Sequence, residues 1–393
     1  MNIQQKDQLY IANTYARFPV VITSGKGSLV WDENGKQYID LSGGIAVNTF
    51  GIADEAWMAA VTAQLGAVQH TSNLYYTKPC ADLAEMLCQR TGMKKVFFAN
   101  SGAEANECAI KVARKYAAEK HGADYYTIVT LKNSFHGRTI TTLAATGQEV
   151  FHQDFTPLTD GFVHATANDF ADVERCVSEN KCAAIMMEVV QGEGGVTALD
   201  QDFVAAVYAL CQKEDLLLIC DEVQIGNGRS GKLYGYMNYG ITPDVVSTAK
   251  GLGGGLPIGA TLIGEKAQAV LGAGSHGSTF GGNPVCCAGA LNILDRLDEE
   301  MPEGVRARSS YIFDALANAE GVESVSGMGL MIGVKTVRPA SDVIADCMEK
   351  GLLVIKAKDK VRLLPALNIP MEVLKEAIAI LKNAIAVKQG ENV

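Results

Sequence analysis

Two apolar runs in this 393-residue chain each end abruptly on a charge. Leu216-Leu-Leu-Ile-Cys-Asp221 turns acidic, and Asp244-Val-Val-Ser-Thr-Ala-Lys250 turns basic, with Gly251-Leu-Gly-Gly-Gly255 behind it. If both runs are buried strands, both charges sit at strand ends, where open α/β sheets bind their ligands. Burial lowers the pKa of an amine, so a lysine placed there becomes a nucleophile near neutrality, the setting of a Schiff-base lysine. Taken alone, a strand-end lysine is more often a solvated charge, and Asp221 alone reads as a turn residue. As a pair they meet the two needs of pyridoxal phosphate. A lysine holds the aldehyde, and a carboxylate keeps the pyridine nitrogen protonated so that the ring acts as an electron sink.

Two further segments bear on phosphate. Asn100-Ser-Gly-Ala-Glu104 contains Ser-x-x-Glu, the form of a capping box. Free N–H groups and the positive end of a helix dipole favour an anion there, although an ordinary helix cap has the same sequence. Gly226-Asn-Gly-Arg-Ser-Gly-Lys232 fits both G-x-G-x-x-G and the front of a P-loop. The P-loop needs Ser or Thr next, and Leu233 stands there; both motifs need a helix to follow, and Gly235, Gly240 and Pro243 interrupt the stretch. Asp244 would begin a strand, whereas a ribose-binding acid follows one. A glycine-rich surface loop is the better reading.

The elements that must position these residues follow from periodicity. Short apolar runs alternate with helical patterns, the mark of an α/β sheet. Strands are predicted at Lys95–Ala99, 126–131, 183–190, 216–220 and 245–249. A helix is predicted from Ser101 to about Lys120, its apolar stripe made by Ala105, Ala109, Val112, Ala113 and Tyr116. A second αβ pattern occupies the C-terminal part: a strand near 328–335, a helix over 341–350 with Ser341 as N-cap and Gly351 past its end, a strand at 352–355, and a closing helix over 371–388. A domain break is expected near residue 285, before a helical run at 285–297.

Composition narrows the function. Thirty-four Lys and Arg against 44 Asp and Glu give a net charge of −10, with no basic block, so a nucleic-acid partner is not expected. No apolar run approaches the roughly 18 residues of a membrane span, and the first residues lack the apolar core of a signal peptide. Glycine, at 40 residues, is well above the usual share and predicts many tight turns. The ten cysteines lack C-x-x-C spacing, and several, such as Cys108 and Cys220, lie in apolar segments, which points to a reduced, cytoplasmic protein without a metal site.

The chain resembles the class III, ornithine-type aminotransferases of fold type I along nearly its whole length, from Asn13-Thr-Tyr-Ala-Arg-Phe-Pro-Val20 to Val361-Arg-Leu-Leu-Pro365. The stretches that carry the likeness are Gly44-Ile-Ala-Val-Asn48, His70-Thr-Ser-Asn-Leu-Tyr75, Asn100-Ser-Gly-Ala-Glu-Ala-Asn-Glu107, Phe135-His-Gly-Arg138, Gln191-Gly-Glu-Gly-Gly195, Asp221-Glu-Val-Gln224, Lys250 with its glycines, and Thr279-Phe-Gly-Gly-Asn-Pro284. The first two point to the acetylornithine branch. The chain departs from the family at Gly51-Ile-Ala-Asp-Glu55, where Gly-His-x-His-Pro is usual, and at Glu188-Val189, where Glu-Pro is usual.

The resemblance implies a large domain with a mostly parallel central sheet flanked by helices, over 51–284. A smaller α/β domain over 285–393 would pack with the segment 1–50. It implies pyridoxal 5'-phosphate, with Ser101 and Gly102 holding the phosphate and Phe135 stacking on the ring. Asp221 would pair with the ring nitrogen, Val223 and Gln224 would meet the ring and its phenolic oxygen, Glu222 would belong to the same cofactor-binding run, and Lys250 would carry the aldehyde. Thr279 of a second subunit would complete the phosphate site of a homodimer. Arg138 and the neighbouring subunit's Ser278 would contact an acylated ornithine, Arg362 would bind the α-carboxylate of glutamate or 2-oxoglutarate, and Glu193 would gate Arg362. The implied reaction is transamination of N2-acetylornithine with 2-oxoglutarate in arginine biosynthesis, with succinylornithine, ornithine or 4-aminobutyrate as alternative donors.

Overall fold

A computed structural model describes residues 1–298 and 300–386. Its central sheet has seven strands: β1 (Lys95–Ala99), β2 (Thr127–Leu131), β3 (Phe162–Ala165), β4 (Cys182–Met187), β5 (Leu217–Asp221), β6 (Val245–Thr248) and β7 (Gly259–Ile263). Their spatial order is β1-β7-β6-β5-β4-β2-β3. Neighbours run parallel except β7, which is antiparallel to both β6 and β1. Strands β4, β5 and β6 are buried throughout, as expected of near-continuous apolar runs covered on both faces. Each fully buried Leu or Ile there contributes about 1.5–3 kcal/mol of transfer free energy.

Register explains how the two charges meet. Asp221 at the end of β5 pairs with Ser247 of β6, and Lys250 lies just beyond the end of β6. The helix Gly102–His121 follows β1 and buries Ala105, Ala109, Val112, Ala113 and Tyr116 beside the sheet, with Ser101 as its N-cap. The predicted stripe is therefore the observed one.

The C-terminal part differs from its predicted pattern in informative ways. The strand expected at 328–335 is a hairpin, Val322–Met328 against Met331–Thr336, because Gly329 at φ +58° turns the chain. The strand expected at 352–355 is split between two sheets. Leu352–Leu353 pairs parallel to Gln37–Asp40, whereas Ile355–Ala357 pairs with Lys360–Leu363. One short run thus ties the N-terminal strands Ile22–Lys26, Leu29–Asp32 and Gln37–Asp40 to the C-terminal sheet that carries Arg362.

Ser341 does not cap its helix. The helix is Ala340–Glu349 with Pro339 at the N-cap, whose carbonyl accepts from Asp342 and Val343, while the Ser341 hydroxyl turns to the Asp342 carboxylate at 3.1 Å. Gly351 beyond that helix has φ +83°, as its placement predicted. The run expected at 183–190 ends at Met187, and Val190–Gln191 pairs separately with Thr197–Ala198. The closing helix is Met371–Ile385, and Lys388 lies outside the described residues. The helix Pro284–Asp295 packs on Glu55–Ala67 and Lys78–Thr91. Among the described residues no helix is long and apolar enough to cross a membrane.

The two departures from the family pattern fill structural places. Val189 is fully buried. Asp54 caps the helix Glu55–Ala67 and forks onto Arg296 at 2.6 and 3.0 Å.

Candidate active site

Lys250, Asp221, Phe135, Arg138, Gly102, Val223 and Gln224 all line one cavity of about 610 Å³ at the carboxyl ends of β5 and β6. The sequence spreads them over some 150 positions, and the parallel strands collect them at one edge.

Lys250 enters the cavity from a strained backbone, with φ +46°. A non-glycine residue held there marks a site whose surroundings over-determine it. Burial pushes its ammonium below the usual lysine range, against the pull of the Glu193 carboxylate. Arg362 adds to the lowering, and Asp221 and Glu188 oppose it. The shift is towards the neutral amine, which is the reactive form.

Asp221 is held by three donors. Its Oδ2 accepts from Asn106 Nδ2 at 2.8 Å and faces His136 Nδ1 at 2.8 Å, and its Oδ1 accepts from the Val223 N–H at 3.0 Å. Asn106 Nδ2 also donates to the His136 carbonyl at 2.7 Å, so helix, strand and loop are locked together. His136 Nε2 and Asn106 Oδ1 are buried without hydrogen-bond partners among the described residues. Neither Asn106 nor His136 was assigned a role from the sequence. The available signals were a polar residue on the buried face of a helix and a histidine inside the Phe135–Arg138 stretch.

Glu188 is a third residue missed. Its carboxylate accepts from the Phe135 N–H at 2.9 Å and the Gly192 N–H at 3.3 Å, bracing the two loops that carry Phe135 and Glu193. Burial pushes its carboxyl up to about 7, the Asp221 charge adds to the rise, and His136 opposes both. Tyr15, from the N-terminal segment, also reaches the cavity wall.

Glu193, Gln224 and Arg362 form one network. Arg362 Nη1 donates to Glu193 Oε1 at 2.6 Å and to Gln224 Oε1 at 2.9 Å, and Gln224 Nε2 donates to Glu193 Oε1 at 3.3 Å. Burial pushes the Glu193 carboxyl up, but the Arg362 guanidinium outweighs it and leaves the group below its ordinary value. Arg362 is 2 % exposed, so its charge is matched by a single carboxylate in a nearly dry setting.

Arg138 is the opposite case. It is exposed, and among the described residues it has neither a carboxylate partner nor a hydrogen bond; its guanidinium rests only against aromatic rings.

Glu222, Ser278 and Thr279 lie away from the Lys250 cavity, whereas Ser101 lines it with its hydroxyl turned to the helix cap. Glu222 turns away from the cavity. Its Oε2 and Oε1 accept from the Gly235 and Tyr236 N–H groups at 2.7 and 2.8 Å, because side chains alternate along an extended chain and its neighbour Asp221 faces the site. Burial pushes its carboxyl up to about 8. Ser101 lines the Lys250 cavity beside Gly102, and its hydroxyl donates to Glu104 Oε2 at 2.7 Å while accepting from the Glu104 N–H at the helix cap. Ser278 and Thr279 line a different cavity of about 750 Å³ beside His70 and His276, and a single chain does not bring them to Lys250. The 226–232 loop runs into a 3-10 turn, Gly235–Asn238, and its Arg229 is buried against the carbonyls of Leu330 and Pro365, so no phosphate cradle forms there.

The residues fit pyridoxal phosphate. The helix Gly102–His121 opens on the cavity, and a Cβ on Gly102 would lie 2.6 Å from Val223 Cγ1, so only glycine lets helix and loop close together there. Lys250, the fixed carboxylate of Asp221 and the side chain of Phe135 line the same space. Backbone N–H groups at the first turn of the helix are the phosphate ligands that this arrangement offers.

The chain matches the family model described as Aminotransferase class-III over residues 10–385. It is 50% identical over 386 residues to an acetylornithine aminotransferase of Haemophilus ducreyi, covering 98% of each chain. It is 43% identical to a succinylornithine transaminase of Yersinia pseudotuberculosis, covering 94% of this chain and 93% of that one. Its structure is similar to the crystal structure of N-acetylornithine aminotransferase from Stenotrophomonas maltophilia, with a TM-score of 0.85 and 35% identity over 97% of this chain and 98% of that one.

Proposed function

The chain belongs to the class III aminotransferases, and from that premise we propose that it moves the terminal amine of N2-acetylornithine to 2-oxoglutarate, yielding N-acetylglutamate 5-semialdehyde and glutamate in arginine biosynthesis. The observation that carries this reading is the pairing of two unlike arginines around Lys250. Arg362 is masked by Glu193, and Arg138 is bare.

Bound pyridoxal phosphate supplies the electron sink that lets a carbon beside the reacting amine lose a proton. The protein's residues do the rest. Lys250 Nζ, whose pKa burial lowers, takes that proton and returns it at a second position. Asp221, oriented by Asn106 and His136, holds a proton on the ring nitrogen. Phe135 would stack on the ring, and Val223 and Gln224 would meet the ring and its phenolic oxygen. Ser101 and Gly102 offer the helix N-terminus to the phosphate.

The two arginines divide the substrates. Arg138 takes the carboxylate of the acylated donor, whose reacting end is an uncharged aminomethylene carbon. Arg362 takes the α-carboxylate of glutamate or 2-oxoglutarate after Glu193 swings away. One site then serves both half-reactions in turn, giving ping-pong kinetics.

The active unit is a homodimer in the cytoplasm, with Ser278 and Thr279 of each subunit completing the other's site. Support comes from Ser278 and Thr279 lining a cavity other than that of Lys250 within one chain, and from the exposure of the large apolar side chains Tyr75, Tyr76 and Phe280 in the neighbouring sequence. Free thiols at all ten cysteines fit a reducing compartment.

The test is the absorbance of the purified holoenzyme before and after N-acetylornithine is added without an acceptor. Loss of the internal cofactor band and its return with 2-oxoglutarate are expected. Initial rates with succinylornithine, ornithine and 4-aminobutyrate rank the alternative donors, and the succinylornithine transaminase relative makes succinylornithine the first competitor to measure.

A further inference from the structure

Arg138 is a long, exposed side chain with five N–H donors and no acceptor bound to any of them among the described residues. Such a residue would ordinarily sample many rotamers. Here the guanidinium carbon lies 4.1 Å from the centroid of Phe151 and 5.4 Å from that of Phe135. The two rings stand edge to face, 5.8 Å apart at 77°. Together they make an aromatic corner that attracts a cation through the negative faces of the rings.

Phe151 is rigidly placed for this. It ends the 3-10 turn Glu149–Phe151, which is fastened at both ends to the segment around Arg138. Before it, Gln148 Nε2 donates to the Ser134 carbonyl at 3.0 Å. After it, His152 Nε2 donates to the carbonyls of Leu143 and Thr146 at 2.9 and 2.8 Å. Nothing in the sequence alone connects Phe151 to Arg138.

We infer that Phe151 is a positioning residue for the donor's carboxylate: it fixes the Arg138 guanidinium without occupying its N–H donors. A carboxylate side chain in its place would orient the arginine equally well but would compete with the substrate, as Glu193 does at Arg362. A ring face orients the cation and leaves the planar fork free for two parallel bonds to a carboxylate. One arginine is masked until needed, and the other is permanently presented.

The inference rests on Arg138 being the donor's carboxylate partner, and the experiment separates the two ideas. The holoenzyme and its Phe151→Ala, Phe151→Leu, Phe151→Tyr and Arg138→Ala variants are compared on N2-acetylornithine and on N-acetyl-1,4-diaminobutane, the same donor without its carboxylate. Phe151→Ala and Phe151→Leu should raise KM for acetylornithine about five- to tenfold with kcat nearly kept, and leave the carboxylate-free donor unchanged. Phe151→Tyr should behave as the parent does. Phe151→Leu retains apolar bulk, so the ring face and not simple packing is being tested, and matching melting temperatures exclude misfolding.

If Phe151→Leu matches the parent enzyme, or if both donors weaken equally, Phe151 is not positioning Arg138. If Arg138→Ala leaves the preference for the carboxylated donor intact, the reading of Arg138 itself fails.

Discussion

Arg362 Nη1 lies 2.6 Å from Glu193 Oε1, with its guanidinium buried and its partner on a separate, glycine-flanked loop. The pair joins a strand of the C-terminal sheet to the turn between Val190–Gln191 and Thr197–Ala198. A bare Arg362 would attract any α-carboxylate and misplace a terminal amine. Removing one member of a buried pair leaves an uncompensated charge that selects for carboxylates. Glu193→Ala should therefore keep or improve the glutamate half-reaction and impair the acetylornithine half-reaction. Single-turnover spectra of each half measure this, and equal loss in both would mean that Glu193 only supports its loop.

Asp221 should be far more sensitive than its hydrogen-bond count suggests. Asp221→Asn preserves shape and still accepts hydrogen bonds, but an amide cannot hold a proton on the ring nitrogen. Turnover should fall by orders of magnitude while borohydride reduction still fixes the cofactor to Lys250, as read by peptide mass mapping. Reproducible labelling of Lys232 or Lys266 would overturn the assignment of Lys250.

Much of this geometry is legible in the sequence, for reasons that also explain the omissions. Apolar runs ending on Asp221 and Lys250 report parallel strands buried on both faces, and a sheet of that kind places their ends together whatever the loops do. The Ser101–Glu104 box is equally local, and the helix begins there. Asn106 was invisible because its meaning depends on Asp221, 115 positions away. Glu188 was hidden likewise, since its partners are backbone N–H groups on two other loops. The division of 352–355 between two sheets has no local signal either, because two distant edges compete for one run.

Arg138 should not tolerate lysine. A guanidinium offers a planar fork to a carboxylate, and an ammonium offers a point charge on a different stem. Arg138→Lys should lower kcat/KM for acetylornithine at least tenfold, or about 1.4 kcal/mol, with the folded cofactor spectrum retained. If the donor half-reaction is untouched while the 2-oxoglutarate half-reaction collapses, the roles of Arg138 and Arg362 are reversed.

Glu222 gives a stability prediction with a defined sign. In the folded protein burial raises its carboxyl from an ordinary 4.5 to about 8, even though it accepts from Gly235 and Tyr236. Between those values the unfolded chain has lost the proton and the folded protein keeps it. The unfolded state therefore binds fewer protons, and this group's contribution to stability falls as pH rises, by up to about 1.4 kcal/mol per unit. Glu222→Gln removes the titration while retaining one carbonyl acceptor, so it should destabilise most at pH 5, where the native carboxyl is protonated in the fold. The gap in melting temperature between parent and variant should narrow steadily towards pH 8, with other titrating groups such as Glu188 common to both proteins. Calorimetry across that range measures the gap, and a parent-minus-variant difference that stays constant or rises with pH would show that Glu222 is ionised in the fold. Glu222→Ala should leave two buried N–H groups without acceptors and cost about 2–4 kcal/mol at pH 5, a cost that shrinks towards pH 8 because the same titration is removed.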